Sequence, residues 1–372
     1  AKANIITAKL YDNPEFDFGT GFYNTQTKKF FDLGNDNREV SMQLSQLIKT
    51  AGKRNKNIAL AKTSAQLTEY EFFDLVRTLK YTLRNDFFNI YYQQQTVKVY
   101  NTEIVSLQKT VAAYKDQVAK GNIAPKDLLR LQSQLYTLQS ELANMQDAID
   151  DVQSEFKLLL RASPMSYVVA DYNPNEKAND PLNGIAYQSL VDSATHNRYD
   201  LQQANLSIVL NKQNLALQKA LAVPDITINA GYDRLGSYVK NYNSVGVGIP
   251  LTLFNRNQGN IKQAKIGIQS SENNLKGMQD EVESQVANAY IGALRATQLL
   301  QSFDPKFEKD FNHLIEEVNS NFTKHNLTIL EFIDFYDAYK QNVLQLNTLR
   351  YNSASQLEQL NYTTGTQIFN QL

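Results

Sequence analysis

The chain is written twice. VAKGNIAPKDLLRLQ at 118–132 aligns without a gap on FTKHNLTILEFIDFY at 322–336, an offset of 204 residues. A period this long lies outside the solenoid range and describes a duplicated half-protein. Upstream, each copy carries a hairpin pattern: NPEFDFGTGFY (13–23) with EVSMQLSQLI (39–48), and VPDITINAGY (223–232) with SVGVGIPLTLF (244–254). The expected organisation is a first repeat over 1–186 and a second over 187–372. The first holds a hairpin at about 14–48, long helices at about 52–160 and an equatorial segment at about 161–186. The second holds a hairpin at about 224–254 and long helices at about 258–363. Copy two has about 35 residues of helical pattern (187–221) before its hairpin and copy one only about a dozen. The first repeat is therefore expected to be incomplete at its N-terminal side.

Alternation runs through all four strand patterns. Phe16, Phe18, Thr20 and Phe22 oppose Glu15, Asp17, Gly19 and Gly21, and Val40, Met42 and Leu44 oppose Ser41, Gln43 and Ser45. Ile226, Ile228, Ala230 and Tyr232 oppose Asp225, Thr227, Asn229 and Gly231. Val245, Val247, Ile249 and Leu251 oppose Ser244, Gly246 and Gly248. Segments of about ten residues, apolar on one face and small or polar on the other, fit strands of an outer-membrane barrel. A half-buried sheet packed on helices has the same period. Four strands do not close a barrel, and open edges are not tolerated in lipid, so several chains must contribute. Two chains would give eight strands and a filled interior; three give twelve and a pore.

The helices follow a seven-residue rhythm. Val76, Leu83, Ile90, Val97, Ile104, Val111 and Val118 form one seam, with Leu79, Tyr100, Leu107 and Tyr114 beside it. Residues 52–120 contain no proline and no internal glycine, so one helix of roughly 100 Å is expected. The return seams are Leu128, Leu135, Leu142, Ile149 and Phe156, with Leu131, Leu138, Met145, Val152 and Leu159. Sustained heptads imply left-handed supercoiling. GNIAP (121–125) supplies a glycine cap and a proline for a helical reversal. HNLT (325–328) occupies the same place in copy two, whose descending helix should break near Asp304–Pro305.

Composition removes other classes. Thirty-seven Lys and Arg balance 38 Asp and Glu, so no strong field advertises a nucleic-acid or membrane-surface partner. Cysteine is absent, three histidines are scattered, and no ligand spacing for a metal appears. There is no glycine-rich phosphate loop, nucleophile elbow or triad. No catalytic residue, cofactor or metal ligand is expected, and the protein is not expected to be an enzyme. No apolar run is long enough for a membrane-spanning helix, and no signal-peptide pattern opens the chain.

Hairpin plus long helices, twice, resembles the TolC-like outer-membrane efflux proteins over essentially the whole chain. VGVGIPLTLFNRNQGNIKQAK (245–265), with LIKTAGKRNKNIALAK (47–62) as its counterpart, is similar to the heavy-metal, CzcC/CusC-type branch. The resemblance implies a mainly α fold with β. It implies a homotrimer with a twelve-stranded composite outer-membrane β-barrel, four strands per chain, and a periplasmic α-helical coiled-coil barrel. It further implies a passive exit duct for heavy-metal cations in a tripartite pump. The implied partners are outer-membrane lipid, a periplasmic adaptor and an inner-membrane RND-type pump.

At the aperture, LTILEFID (327–334) resembles the segment that bears two acidic rings, here Glu331 and Asp334. Asp127 stands at the site of a residue that latches the closed iris. Leu327 replaces an arginine latch and Phe322 a tyrosine, so the closing network should differ here. Three carboxylates per ring would raise one another's pKa and favour cations; ordinary solvated helix acids are the plainer alternative. Gly121, Asn122, Ile123 and Ala124, with His325, Asn326, Leu327 and Thr328, are the expected adaptor-contact tips. The competing readings are a drug- or protein-exporting channel of the same family and, more distantly, a soluble coiled-coil adhesin.

Overall fold

A computed structural model describes residues 1–25, 27–31, 39–173, 181–235, 239–304, 306–324 and 326–369, without the side chains of residues 308 and 312. The elements are α1 (Lys2–Lys9), β1 (Glu15–Thr20), β2 (Tyr23–Asn24), β3 (Lys29–Phe30), β4 (Val40–Ile48), α2 (Lys53–Ala119) and α3 (Pro125–Leu160). They continue as α4 (Tyr187–Asn197), α5 (Tyr199–Leu221), β5 (Ile226–Asp233), β6 (Tyr242–Gly248), α6 (Gln258–Gln301), α7 (Phe307–Thr323) and α8 (Ile329–Thr364). Two compact units result, residues 1–73 with 199–279 and residues 74–198 with 280–372. Each unit thus draws on both sequence copies.

In the first unit the two hairpins join in one antiparallel sheet of order β1-β4-β5-β6. The pairing across β4 and β5 unites the copies, with Leu44 opposite Ala230 and Met42 opposite Tyr232. Phe16 opposes Leu44 and Val245 opposes Ala230, so one apolar row crosses all four strands. The next residue along reverses face: Glu15, Ser45, Asn229 and Gly246 form a polar row. On the same face, in the neighbouring row of Gln43, Gly231 and Ser244, a Cβ on Gly231 would lie 2.8 Å from the Ser244 hydroxyl. The apolar face is uncovered: Phe16 is 63% exposed, Val247 64% and Val245 81%.

The strands are shorter than the ten residues expected. The last pairs only over Tyr242–Gly248, so 249–254 lies beyond the ladder. Pro250, without an N–H, suits a chain leaving an edge strand. The β1 hairpin is prolonged by β2 and β3, where Phe22 packs edge-on against Phe30 and Phe31 at 5.3 and 5.2 Å. At the other end Ala51 and Gly52, both left-handed at φ +52° and +67°, turn β4 into α2. The turn is fastened by Asp225. Its Oδ1 accepts from Lys53 Nζ at 2.6 Å and from the Thr50 N–H at 2.8 Å. Burial pushes this carboxyl up, but those bonds together hold it below the usual range.

In the second unit α2, α3, α7 and α8 share a core. Tyr100, Ile104 and Leu107 of α2 meet Leu131, Leu135 and Leu138 of α3, Val318 and Phe322 of α7, and Phe332 and Tyr336 of α8. These include the heptad positions expected for α2 and α3. α2 is unbroken over 67 residues, about 100 Å at the helical rise. Its counterpart in copy two breaks after Gln301 and resumes at Phe307, on either side of Asp304; Pro305 lies outside the described residues.

After α3 the chain runs irregularly, and two glutamines replace a neighbouring strand. Gln153, fully buried, accepts from the Val168 N–H and donates to its carbonyl. Gln94 accepts from the Ala170 N–H and also donates to the Val168 carbonyl. Near the end of α8 the buried Glu358 takes two bonds from Arg84, at 2.7 and 3.0 Å. Asn361 donates to Glu358 and accepts from the N–H groups of Ile368 and Phe369. Among the described residues no helix is long and apolar enough to cross a membrane.

Candidate functional site

Both helical reversals lie in the second unit. The first follows α2: the Gly121 N–H donates to the Val118 carbonyl and the Asn122 N–H to the Gln117 carbonyl. Gly121, at φ +75°, adopts the left-handed conformation that ends a helix this way. After α7 the Asn326 N–H donates to the Asn321 carbonyl, 204 residues on from the first bond. The side chains repeat the pattern, Asn122 donating to Gln117 Oε1 at 2.8 Å and Asn326 to Asn321 Oδ1 at 3.4 Å. The two asparagines thus have the same task in both turns. His325 lies outside the described residues.

Gly121, Asn122, Ala124, Asn326 and Thr328 are exposed, while Ile123 and Leu327 are half-buried. Each of these two apolar residues precedes an N-cap and is followed five positions later by another, Leu128 or Phe332. That spacing is the hydrophobic staple, which fixes how a chain enters a helix. Leu327 packs against the cluster containing Phe332. Apolar contact therefore holds this end of the turn. Phe322, 3% exposed, stacks 5.5 Å from Tyr114 and 4.0 Å from Phe332.

The helix starts differ in chemistry. α8 opens with a capping box: the Thr328 hydroxyl accepts from the Glu331 N–H, and Glu331 Oε2 accepts from the Thr328 N–H at 2.8 Å. The Thr328 hydroxyl and N–H hold the Glu331 carboxyl below its ordinary value. α3 has no side-chain cap at Ala124; Pro125 and the first-turn acid Asp127 stand in, the latter complementing the helix dipole. Asp127 and Glu331 hold the same position in their helices and in the repeat. Asp127 is half-buried, and with burial its charge pushes the Tyr114 phenol up. Asp334 is exposed one turn beyond Glu331.

Behind the tips lies a polar layer that the heptad pattern did not disclose. Lys340 on α8 is 7% exposed and bonds Glu141 Oε2 of α3 at 2.8 Å, with Asp337 3.6 Å away. Gln134 donates to Asp337 at 2.8 Å. Glu103 on α2 is 3% exposed, and its Oε1 has no hydrogen-bond partner. Burial pushes its carboxyl up to about 8, Lys340 opposes the rise, and Asp337 and Glu141 add to it. Burial and Glu141 likewise raise Tyr100 to about 12. Closer to the tip the buried Tyr336 hydroxyl donates to Asn319 Oδ1 at 2.6 Å and lies 2.7 Å from Ser106 Oγ. Glu103 and Lys340 adjoin the seam residues Ile104 and Tyr339. Helices packed on more than one neighbour bury flanking positions as well as the a/d stripe. Among the described residues no group of three His, Cys, Asp or Glu is arranged to hold a metal.

Comparison with known proteins adds to this geometry. The sequence profile described as outer membrane efflux protein matches residues 1–160 and 190–366. A curated relative, the cobalt-zinc-cadmium resistance protein CzcC of Cupriavidus metallidurans, is 23% identical over 267 residues, 71% of this chain. The match spans 59% of that relative's length. Among solved structures, CusC superposes with a TM-score of 0.75 at 17% identity, covering 98% of this chain and 86% of that one. The outer membrane protein VceC of Vibrio cholerae gives 0.71 at 14%, covering 99% and 90%. The open-state outer membrane channel MtrE of Neisseria gonorrhoeae gives 0.71 at 13%, covering 98% and 82%. These similarities establish the TolC-like fold.

Proposed function

Because the chain belongs to the outer membrane efflux protein family, we propose that it is the outer-membrane exit duct of a tripartite efflux pump, with heavy-metal cations as its cargo. The sheet carries the channel part of this reading. It has one face of exposed aromatic and aliphatic side chains, an opposite face of small and polar ones, and open edges at β1 and β6. Hydrocarbon covers such an apolar face, and edge strands in hydrocarbon must be paired. Three chains of four strands close a twelve-stranded barrel wide enough for a pore, with the Glu15–Ser45–Asn229–Gly246 row towards its lumen.

The duct is passive: energy comes from an inner-membrane pump, reached through a periplasmic adaptor. The paired reversals at Gly121–Ala124 and Asn326–Thr328 present exposed polar groups for that adaptor. Asp127, Glu331 and Asp334 are the acids of the iris that opens on docking. Cation rather than anion passage fits two acids per chain within two turns of one tip. The similarity to a cobalt-zinc-cadmium resistance protein supports metals as cargo.

The experiment is a deletion strain, complemented with this chain and challenged with zinc, cobalt, cadmium, copper and silver beside dyes and detergents. Restored metal resistance alone supports the reading. Rescue confined to dyes or detergents replaces metals by drugs. A protein that extracts without detergent and forms no conducting trimers overturns the channel itself.

A further inference from the structure

The chain changes its charge where the sheet gives way to helices. Residues 1–11, 49–68, 201–224 and 254–271 contain twelve Lys and Arg and no Asp or Glu, although the whole chain is balanced. All four stretches belong to the first unit. They comprise α1, the start of α2, most of α5 and the start of α6, adjoining the ends of β1, β4, β5 and β6. Acids resume only at Asp12, Glu69, Asp225 and Glu272. Among the described residues, the ion pairs of this zone are Lys49–Asp12 and Lys53–Asp225. Lys62, Lys212, Lys219, Arg256, Lys262 and Lys265 are all exposed.

Helix stability does not account for the pattern. The N-terminal ends of α2 and α6 carry the positive end of the helix dipole and favour acids, yet neither has one in its first turn. Lys53 and Arg54 open α2 instead. An open hollow of about 310 Å³ sits among Asn4, Thr7, Leu10, Lys49, Arg54 and Asn57. Arg54 lies 4.2 Å over the Tyr11 ring and donates to the Lys9 carbonyl, which docks α1 and its cations against α2.

We propose that this zone is a collar for anionic phospholipid headgroups on the periplasmic side of the outer membrane. It rests on the lipid-facing assignment of the sheet. The apolar strand face and the basic collar are continuous in sequence and lie in one compact unit, so acyl chains on the former place headgroup phosphates beside the latter. Exposed Lys and Arg next to a membrane are each attracted to anionic lipid, and the attraction falls away within a Debye length. Cations nearest the strand ends, Lys49, Arg54, Lys219 and Arg256, therefore contribute most.

The test uses the full-length protein in detergent, titrated with phosphatidylglycerol or phosphatidylcholine. Retained lipids are counted by native mass spectrometry and thermal stability is followed in parallel. The wild type should retain phosphatidylglycerol in preference and gain stability from it, and both effects should vanish at high salt. Replacing Lys219, Arg256, Lys262 and Lys265 by Gln should reduce the preference by about tenfold or more. Equal retention of both lipids, a preference indifferent to salt, or a variant that keeps the full preference overturns the collar. Salt dependence of the wild type decides the matter if the variant does not assemble. Insertion into vesicles of both lipids without preference removes only this inference. Failure to insert into either removes the membrane assignment with it.

Discussion

Glu103→Gln should stabilise the protein at neutral and alkaline pH, although it removes a charge beside a lysine. Glu103 is buried on α2, has an unpartnered Oε1, and faces Asp337 and Glu141 as well as Lys340. Its carboxyl moves from 4.5 to about 8 on folding. A carboxyl raised in the folded state binds its proton more tightly there than in the unfolded chain. Stability is therefore full below about 4.5 and falls as pH rises towards about 8. At about 1.4 kcal/mol per pH unit, pH 7 lies about 2.5 units above the unfolded value, and on the order of 3 kcal/mol has been lost. Glutamine keeps the shape and does not titrate.

With an unfolding entropy of roughly 0.8 kcal/mol/K for a chain this long, the variant should melt about 4 °C above wild type at pH 7. The two should nearly coincide at pH 5. The assay is the thermal midpoint of the detergent-solubilised protein between pH 5 and 9, with fixed protein concentration and salt. Parallel curves for wild type and variant would refute the buried protonated carboxyl. A variant less stable than wild type at pH 7 would mean that Glu103 is ionised and paired with Lys340.

Three further outcomes follow from the contacts. Glu358→Ala removes two bonds from the Arg84 guanidinium together with their counter-charge and should cost about 3–5 kcal/mol in unfolding experiments, whereas an Arg84→Met, Glu358→Leu pair should recover most of it. Thr328→Ala removes the cap of α8, worth about 1 kcal/mol, and should speed amide exchange at Glu331 and Phe332 about fivefold. Replacing Glu331 and Asp334 together by Ala should lower cation preference in bilayer conductance; unchanged ion selectivity would remove both from the aperture.

Period and punctuation made most of the fold legible. Alternation at Phe16–Phe18 and Val245–Val247 placed the strands and their faces, because successive side chains of a strand point to opposite sides of the sheet. Heptads placed Ile104, Leu107, Leu131 and Leu138 in the core, and Gly121 with Pro125 placed the first reversal. Strand ends were harder to read, since the pattern through Ile249 and Leu251 continues past the pairing that Pro250 helps to end. At the site, the positions of Asp127 and Glu331 were legible, but their partners were not. A Thr328-to-Glu331 capping box spans one turn and shows only as a Thr-Xaa-Xaa-Glu spacing. The Glu103–Lys340–Glu141 layer joins residues from three helices far apart in the chain, and no local period reports such a meeting. The tips, with unlike sequences GNIA and HNLT, nevertheless share one turn, because the amide of Asn122 or Asn326 closes the same ring in each.

The open edges of β1 and β6 have a consequence for biogenesis. A lone chain cannot bury those edges in hydrocarbon, so membrane insertion and subunit association become a single event. Its rate then depends on a higher power of chain concentration, and an unassembled chain keeps its aromatic strand face exposed. Genetic dominance follows from the same geometry. In the proposed three-chain ring, a chain with one damaged edge strand, co-expressed equally with intact copies, would leave only about one ring in eight free of it. Lesions at β1 or β6 should therefore poison assembly in a heterozygous cell, whereas null alleles should merely dilute it.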